Sequence, residues 1–187
     1  MTHPRGNFVL HLHAGHLWFP ERVTTEREPT PTTAGERESL RGYLDFHRAT
    51  LAMKCDDLTD DQLRRQASPP STLSLLGLVR HLADVERGWF RRVIDKQEAG
   101  PLYGDFAAAH DASGATREET FAAWQAEVAE SRRIEQAAES LDVTAYSAGW
   151  GQEVSLRMVM QHMIQEYARH NGHADLLREA IDGVTGV

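Results

Sequence analysis

Near the end of the chain, side chains that can bind a metal ion or carry a proton recur at helical spacing. They are His162, Glu166, His170 and His173. At about 100° of rotation per residue, a helix gathers all of them within an arc of roughly 80°. Apolar residues border the same arc: Met158, Leu176 and Leu177. The spacing therefore predicts a buried helix stripe that carries polar groups in its middle.

Two interpretations of this stripe are open. A buried carboxylate beside buried imidazoles is costly unless each group has a partner, and buried charges are usually either paired or bound to a metal. The first interpretation is therefore a metal site. The second is a structural network, in which the histidines are hydrogen-bonded core residues and Glu166 pairs with an arginine of another helix. Such groups on consecutive turns favour the metal, because the structural interpretation needs a separate partner for each.

A further ligand can come from a second predicted helix, over about residues 73–97. Its apolar residues recur at helical spacing: Leu75, Leu78, Leu82, Val85, Trp89 and Val93. His81 lies at the edge of that stripe, close to the angular positions of Gly77 and Gly88. A glycine inside a helix costs about 1 kcal/mol relative to alanine, so two of them indicate that a backbone or a ligand approaches closely. His81 is therefore the natural ligand from outside the last helix.

The elements that position these residues are predicted to be helices. Long helices are expected over about residues 36–55, 73–97, 116–140 and 155–183. Ser155 can cap the last of them and Gly183 can end it. The absence of persuasive strand patterns gives an all-α fold, a four-helix bundle.

Two connections between these helices are candidates for covering a site. Residues 98–115 form a Gly-rich connection that is too long for a tight turn, so it crosses an end of the bundle or covers a pocket. Residues 146–151 are rich in glycine and aromatic side chains. This loop either reaches over the mouth of the pocket, with Trp150 as a cofactor-binding residue, or is a surface turn with Trp150 packed on the core.

Composition limits the class of protein. The 187 residues fit one domain, assigned to residues 36–187, after a Thr- and Pro-rich N-terminal arm of residues 1–35 that is expected to be flexible. The arm contains a histidine group, His11, His13 and His16, that is either an incidental feature or a local metal site. A net charge of -8 argues against a nucleic-acid partner.

Localisation and assembly follow from simpler counts. The single cysteine, Cys55, excludes an internal disulfide and fits a reducing compartment. The sequence has neither an apolar run long enough for a membrane helix nor the apolar segment of a signal peptide. We therefore expect a cytoplasmic protein with no membrane partner. The sequence leaves open whether it forms a homodimer.

Two stretches resemble a known superfamily. Residues 76–83, followed by Glu86 and Trp89, and residues 166–175 are similar to the DinB/YfiT-like superfamily. The similarity is greatest to its actinobacterial DinB-like branch and to the metal-binding domain of mycothiol-dependent maleylpyruvate isomerases, and it spans about residues 36–183. The resemblance implies a four-helix bundle that holds a divalent metal. The separate C-terminal domain of those isomerases is absent, so maleylpyruvate isomerisation is not implied.

The resemblance also implies a ligand set of His81, Glu166 and His170. Residues i and i+4 are neighbours on a helix, so Glu166 and His170 can hold one ion while His81 approaches from the facing helix. Two imidazoles and one carboxylate are typical of a catalytic zinc site with a vacant position, although nickel, iron or manganese would also be accepted. His162 and His173 lie one turn beyond, where we expect catalytic residues that support the ligands or face the substrate.

No general base is obvious in the sequence, which favours chemistry in which the metal activates the nucleophile. A thiol bound to a metal loses its proton and becomes nucleophilic at neutral pH. The resemblance implies a low-molecular-weight thiol as cosubstrate, mycothiol before bacillithiol or glutathione, transferred to an electrophilic small molecule. The alternatives are a hydrolase in which His162 or His173 shuttles the proton of a metal-bound water, and a metal-binding stress or interaction protein without enzymatic activity.

Overall fold

The computed structural model describes residues 27–186, and most of these residues are helical. The helices are α1 (Glu36–Lys54), α2 (Asp60–Arg64), α3 (Leu75–Glu86), α4 (Phe106–His110), α5 (Arg117–Ala137) and α6 (Leu156–Asp182). A two-stranded sheet, β1 (Thr144–Ser147) and β2 (Gln152–Ser155), precedes α6. The mostly helical character that the sequence predicts is confirmed. No helix within residues 27–186 is both long enough and apolar enough to cross a membrane.

The core lies between the long helices. Helix α6 packs against α1 on one side and against α3 on another, and α3 also packs against α5. Fully buried side chains from three of these helices meet at the centre, including Leu51, Leu82, Met163 and Tyr167. Because α3 and α6 are in direct contact, polar residues on their facing sides are brought together at one place.

The ends of α6 agree with the predicted signals. The Ser155 hydroxyl oxygen accepts a hydrogen bond from the backbone N–H of Met158 at 3.2 Å, which satisfies one of the free donors of the first turn. Gly183 ends the helix with φ of 80°, a left-handed conformation that glycine adopts without a steric penalty. These two residues set the ends of α6 and therefore where its histidines lie along the helix axis.

The hairpin is a difference from the all-α prediction. Strands β1 and β2 are antiparallel, with Thr144 opposite Ser155 and Ser147 opposite Gln152. Each strand has four residues, too few for a period-2 pattern to stand out from a loop. The pairing sets the position of the exposed turn at residues 148–151.

The second long helix is also different from the prediction. The segment predicted as one α-helix over residues 73–97 is α-helical only from Leu75 to Glu86 and continues as a π-helix over Arg87–Ile94. The backbone N–H of Asp95 donates to the carbonyl of Phe90, five residues earlier, at 2.9 Å. Because π-helical turns are rare and are often found at functional sites, this segment is of interest for its side chains.

Most of the proposed arm, residues 1–26 with the His11, His13 and His16 group, lies outside the described residues. The last part of the arm contacts α1. Arg27 donates to the Thr50 hydroxyl oxygen at 3.3 Å, and its guanidinium carbon lies 4.7 Å from the centre of the Phe46 ring. The boundary at residue 35 and the flexibility of the arm stay predictions.

Candidate metal centre and its cleft

Three of the side chains singled out by sequence lie together where α3 faces α6. His81 comes from α3, and Glu166 and His170 come from consecutive turns of α6. The Oε2 atom of Glu166 lies 3.7 Å from Nε2 of His81 and 3.5 Å from Nε2 of His170. One potential ligand atom of each residue lies within 4.8 Å of those of the others. Two ligands of a tetrahedral zinc ion, each about 2.0–2.2 Å from it, lie about 3.3–3.6 Å apart, close to the distances from the Glu166 oxygen to the two imidazole nitrogens.

The chemical state of these groups fits a divalent ion. His81 and His170 are each only 7% exposed. Burial, together with smaller effects of the neighbouring His110 and Arg169, lowers the pKa of His81 to about 4. Burial, followed by the charge of His81, lowers the pKa of His170 to about 4. Both imidazoles are therefore neutral at pH 7 with a lone pair to donate, next to an acidic oxygen ligand.

The buried face of α6 differs from the predicted arc. Its most buried side chains centre on Met163 and Tyr167, because the helix packs against both α1 and α3. The predicted arc lies at the edge of this face: His162, Glu166 and His173 are half-buried. The expectation that Leu176 borders a buried stripe is wrong, since its side chain is 62% exposed. Half-burial leaves the polar arc within reach of a ligand.

The two remaining histidines of the arc contact the cluster from opposite ends. Nδ1 of His173 lies 3.3 Å from Nδ1 of His170, which leaves Nε2 of His170 directed at Glu166. Nε2 of His162 lies 3.9 Å from Oε1 of Glu166. Burial lowers the pKa of His162, against a smaller effect of Glu166. Both side chains are thus neighbours of the cluster, as their spacing suggests.

His110 is a member of the site that no sequence pattern indicated. It ends the short helix α4, and its ring stacks on that of His81 at 4.4 Å between centroids, with 27° between the planes. Its Nδ1 lies 3.0 Å from the carbonyl oxygen of Phe106, which can only accept, so Nδ1 carries the proton of this hydrogen bond. The backbone of His110 passes so close to Gly77 that a Cβ there would clash with its carbonyl oxygen. The predicted close approach at Gly77 is confirmed.

A cleft of about 570 Å³ opens beside His81. Its walls are the π-helical segment, the connection around α4 and the turn of the hairpin. Both connections predicted to cover a site, residues 98–115 and 146–151, therefore contribute to the walls of this cleft. For residues 146–151 this agrees with a loop at the mouth of the pocket, the first of the two interpretations. Aromatic side chains dominate the rim: Trp89, Phe106, Tyr146 and Trp150. Such a cleft can hold a small molecule of apolar or aromatic character next to the cluster.

The rings of Trp150, Trp89 and His162 contact one another. The Trp150 ring meets the edge of Trp89 at 4.8 Å and of His162 at 5.1 Å, and Trp89 lies 4.8 Å from His162. Trp150 remains 46% exposed. Its position connects the cleft with the edge of the cluster.

Beneath the cluster lies a buried polar network that the sequence did not reveal. Arg48 binds Glu86 through two hydrogen bonds of 2.8 Å. Glu86 also accepts from the Tyr167 hydroxyl at 2.8 Å, and that hydroxyl accepts from the Trp124 indole at 2.8 Å. Although burial opposes it, the Glu86 carboxylate raises the pKa of Arg48. These residues belong to α1, α3, α6 and α5, so the network fixes the relative positions of the helices that carry the cluster.

The comparisons with known proteins can now be set beside this geometry. A family model described as mycothiol S-transferase matches residues 39–183. Among curated proteins, no match is found. The matched residues include the whole cluster and the walls of the cleft. The resemblance to the DinB/YfiT-like superfamily is confirmed, and the chain belongs to the mycothiol S-transferase family, a DinB-like family.

Proposed function

We propose that this protein transfers a low-molecular-weight thiol, mycothiol in the first place, to an electrophilic small molecule, and that it does so with a divalent ion, zinc in the first place. The ion would be held by His81, Glu166 and His170 on a DinB-like four-helix bundle made of α1, α3, α5 and α6. One observation carries the proposal: in a chain of the mycothiol S-transferase family, a cluster of three ligand side chains lies beside an aromatic cleft.

The chemistry requires a thiolate near neutral pH. A divalent ion with three protein ligands supplies a positive charge and a vacant position, which lower the pKa of a thiol placed there. In the transfer, a sulfur–carbon bond forms and the bond from that carbon to its leaving group breaks. The leaving group departs with the bonding electron pair, and the proton of the thiol passes to solvent.

His173 would hold His170 in the orientation that the cluster needs. If Nε2 of His170 binds the ion, its Nδ1 must carry the proton. This N–H then donates a hydrogen bond to Nδ1 of His173, 3.3 Å away. Histidine ligands commonly have such a partner on the second nitrogen, and it fixes both tautomer and ring orientation. His173 is therefore a positioning residue in this proposal.

His162 and Trp150 would face the substrates. Trp150 and Trp89 present aromatic surfaces to the cleft, on which the body of the thiol or the electrophile can stack. His162 lies between these rings and Glu166, at the border of the cleft and the cluster. It is the side chain of the arc that a bound substrate would reach first from the aromatic side.

The test is product formation from a panel of thiols: mycothiol, bacillithiol and glutathione, each with monochlorobimane. Mass spectrometry should detect the thiol–bimane conjugate and loss of chloride with one thiol, and the rate should fall to background in metal-free protein and in Glu166→Gln. Glu179→Gln is a matched control, because Glu179 is an exposed carboxylate on the same helix and makes no ion pair among residues 27–186. Metal-dependent cleavage of model esters without thiol transfer would instead support a hydrolase. Absence of both activities in fully metallated protein would support a binding protein.

A further inference from the structure

Arg92 differs from its neighbours on the π-helical segment. Arg87 and Arg91 both donate to the buried carboxylate of Glu127, at 2.8 and 2.7 Å, and so serve the packing of α5. Arg92 lies on the other side, in the wall of the cleft. Within the described part of the chain, its guanidinium makes neither a hydrogen bond nor an ion pair with another residue. A charged group in a cleft wall without a structural partner is available to a ligand.

Gly88 allows this position of Arg92. A Cβ atom at residue 88 would lie 2.8 Å from Nη2 of Arg92, closer than such atoms approach one another. The guanidinium is therefore folded back along the helix, over the place that a side chain at residue 88 would fill. Gly88 itself lines the cleft, and the absence of a side chain there leaves room for the guanidinium at the cleft wall.

The other charged side chains of the cleft have structural partners. Oδ1 of Asp84 accepts the backbone N–H of Leu102 at 2.6 Å and thereby fixes the connection. Oδ1 of Asp105 accepts the backbone N–H of Ala108 at 2.9 Å and caps α4. Neither carboxylate lies within ion-pair distance of Arg92. Arg92 is solvent-exposed and is thus the charged side chain of the cleft wall that has no hydrogen bond or ion pair within residues 27–186.

We infer that Arg92 binds an anionic group, a carboxylate in the first place, on the molecule that occupies the cleft. A guanidinium binds a carboxylate through two parallel hydrogen bonds, while the aromatic rim receives the apolar part of the same molecule. If the cleft binds the electrophile, the inference rests on the proposed function. It then names the substrate class: an apolar or aromatic electrophile that carries a carboxylate. The net charge of -8 repels anions in general, so Arg92 provides local selectivity.

The test uses a pair of unreactive probes, 3-phenylpropionate and 3-phenylpropionamide, with the purified metal-containing protein. Both have the same apolar body, and they differ in the charge of one end. Binding can be followed through the fluorescence of Trp89 and Trp150, which line the cleft. We expect the carboxylate to bind about 10-fold more tightly than the amide, the effect of one charge-assisted hydrogen-bonded pair in a partly open site.

Substitutions assign the preference to Arg92. Arg92→Gln should remove the preference for the carboxylate and leave the affinity for the amide within about 2-fold. Gly88→Ala places a methyl group 2.8 Å from the present position of Nη2 of Arg92, so the guanidinium must shift; because it ends a flexible side chain, the preference should fall by less than in Arg92→Gln. Arg65→Gln is the matched control: this exposed arginine lies outside the cleft, and the preference should be retained.

Two results would overturn the inference. The first is a carboxylate preference that persists in Arg92→Gln; if chelation of the metal or His170→Ala then removed it, the carboxylate would lie at the cluster. The second is no binding of either probe at millimolar concentration. Since the probes have no reactive group and need no thiol, failure of the thiol-transfer assay would leave this result standing, and the reverse also holds.

Discussion

The cluster and the cleft meet at His81 but are built from different kinds of structure. The cluster lies on two long helices in direct contact, and its two histidines are almost fully buried. The cleft is formed by π-helical turns, a long connection and the turn of a hairpin, and its aromatic rim is exposed, with Phe106 at 74% and Trp150 at 46%. Helix packing suits a site in which ligand atoms must keep fixed separations, whereas connections suit a surface that adapts to one substrate. The chemistry should therefore depend on the helices and the substrate preference on the connections.

The largest effect on stability is expected below the cluster, at Glu86. Glu86→Gln removes the buried carboxylate that pairs with Arg48 and leaves its guanidinium with only the partly exposed carboxylate of Asp45, 2.9 Å away; loss of one partner of a buried ion pair costs about 3–5 kcal/mol, and the lower end of that range is expected here. The free energy of unfolding from urea titration should fall by that amount. Glu38→Gln removes an exposed carboxylate of α1 and should change it by less than about 0.5 kcal/mol. A loss below about 1 kcal/mol for Glu86→Gln would contradict the role of this network in fixing the helices.

The next effect concerns the support of the cluster. His173→Ala removes the partner of Nδ1 of His170 and should weaken metal affinity by about 10–100-fold, without abolishing binding. Competition with a chromophoric chelator measures this affinity directly. If His173→Ala lost all metal while Glu166→Ala kept it, the ligands would have been assigned incorrectly and the cluster would be centred one turn further along α6.

A smaller effect is expected in the cleft. Trp150→Ala removes an aromatic wall but no ligand, so KM for the electrophile should rise about 5- to 10-fold while kcat and metal content stay close to wild type. Tyr43→Ala, at an exposed aromatic outside the cleft, is the control. An equal loss of kcat and metal in Trp150→Ala would remove the contrast between a rigid cluster and an adaptable cleft.

The smallest effect is expected at Cys55, which belongs to neither region. Burial raises the pKa of this thiol to about 12, although Arg117 opposes the shift. At pH 8 only about one molecule in ten thousand then carries the thiolate, the form that reacts. Ellman's reagent should therefore leave the native protein unlabelled and modify one thiol after denaturation, and Cys55→Ala should retain thiol transfer. Rapid labelling of the native protein would show that a protein thiol is accessible to the reaction.

The contrast between the two regions also explains what could be predicted from the sequence. Helical spacing placed His162, Glu166, His170 and His173 on one arc and made His81 a candidate because it borders an apolar stripe near Gly77; the family resemblance then implied the set of His81, Glu166 and His170. Gly77 then proved to be a place of close backbone approach, as expected. The arc and the close approach at Gly77 each follow from the geometry of a single helix, whereas the ligand set also used the resemblance.

The features that were not predicted depend on residues distant in sequence or on unusual winding. His110 reaches His81 from the far end of a long connection, 29 positions along the chain, and Glu86 meets Arg48 across 38 positions. The position of Arg92 in the cleft wall depends on the π-helical segment. Apolar residues spaced for an α-helix, near 3.6 residues per turn, did not indicate that this segment is wound differently. Contacts of this kind are decided by tertiary packing, so local patterns in the sequence do not indicate them.

The central claim is that His81, Glu166 and His170 hold one divalent ion, and elemental analysis of the purified protein tests it most directly. Wild type and the matched control Glu179→Gln should each contain about one ion per chain, whereas His170→Ala and Glu166→Gln, shown by circular dichroism to be folded, should contain less than about a tenth of that amount. Equal metal content in wild type and His170→Ala would contradict the account.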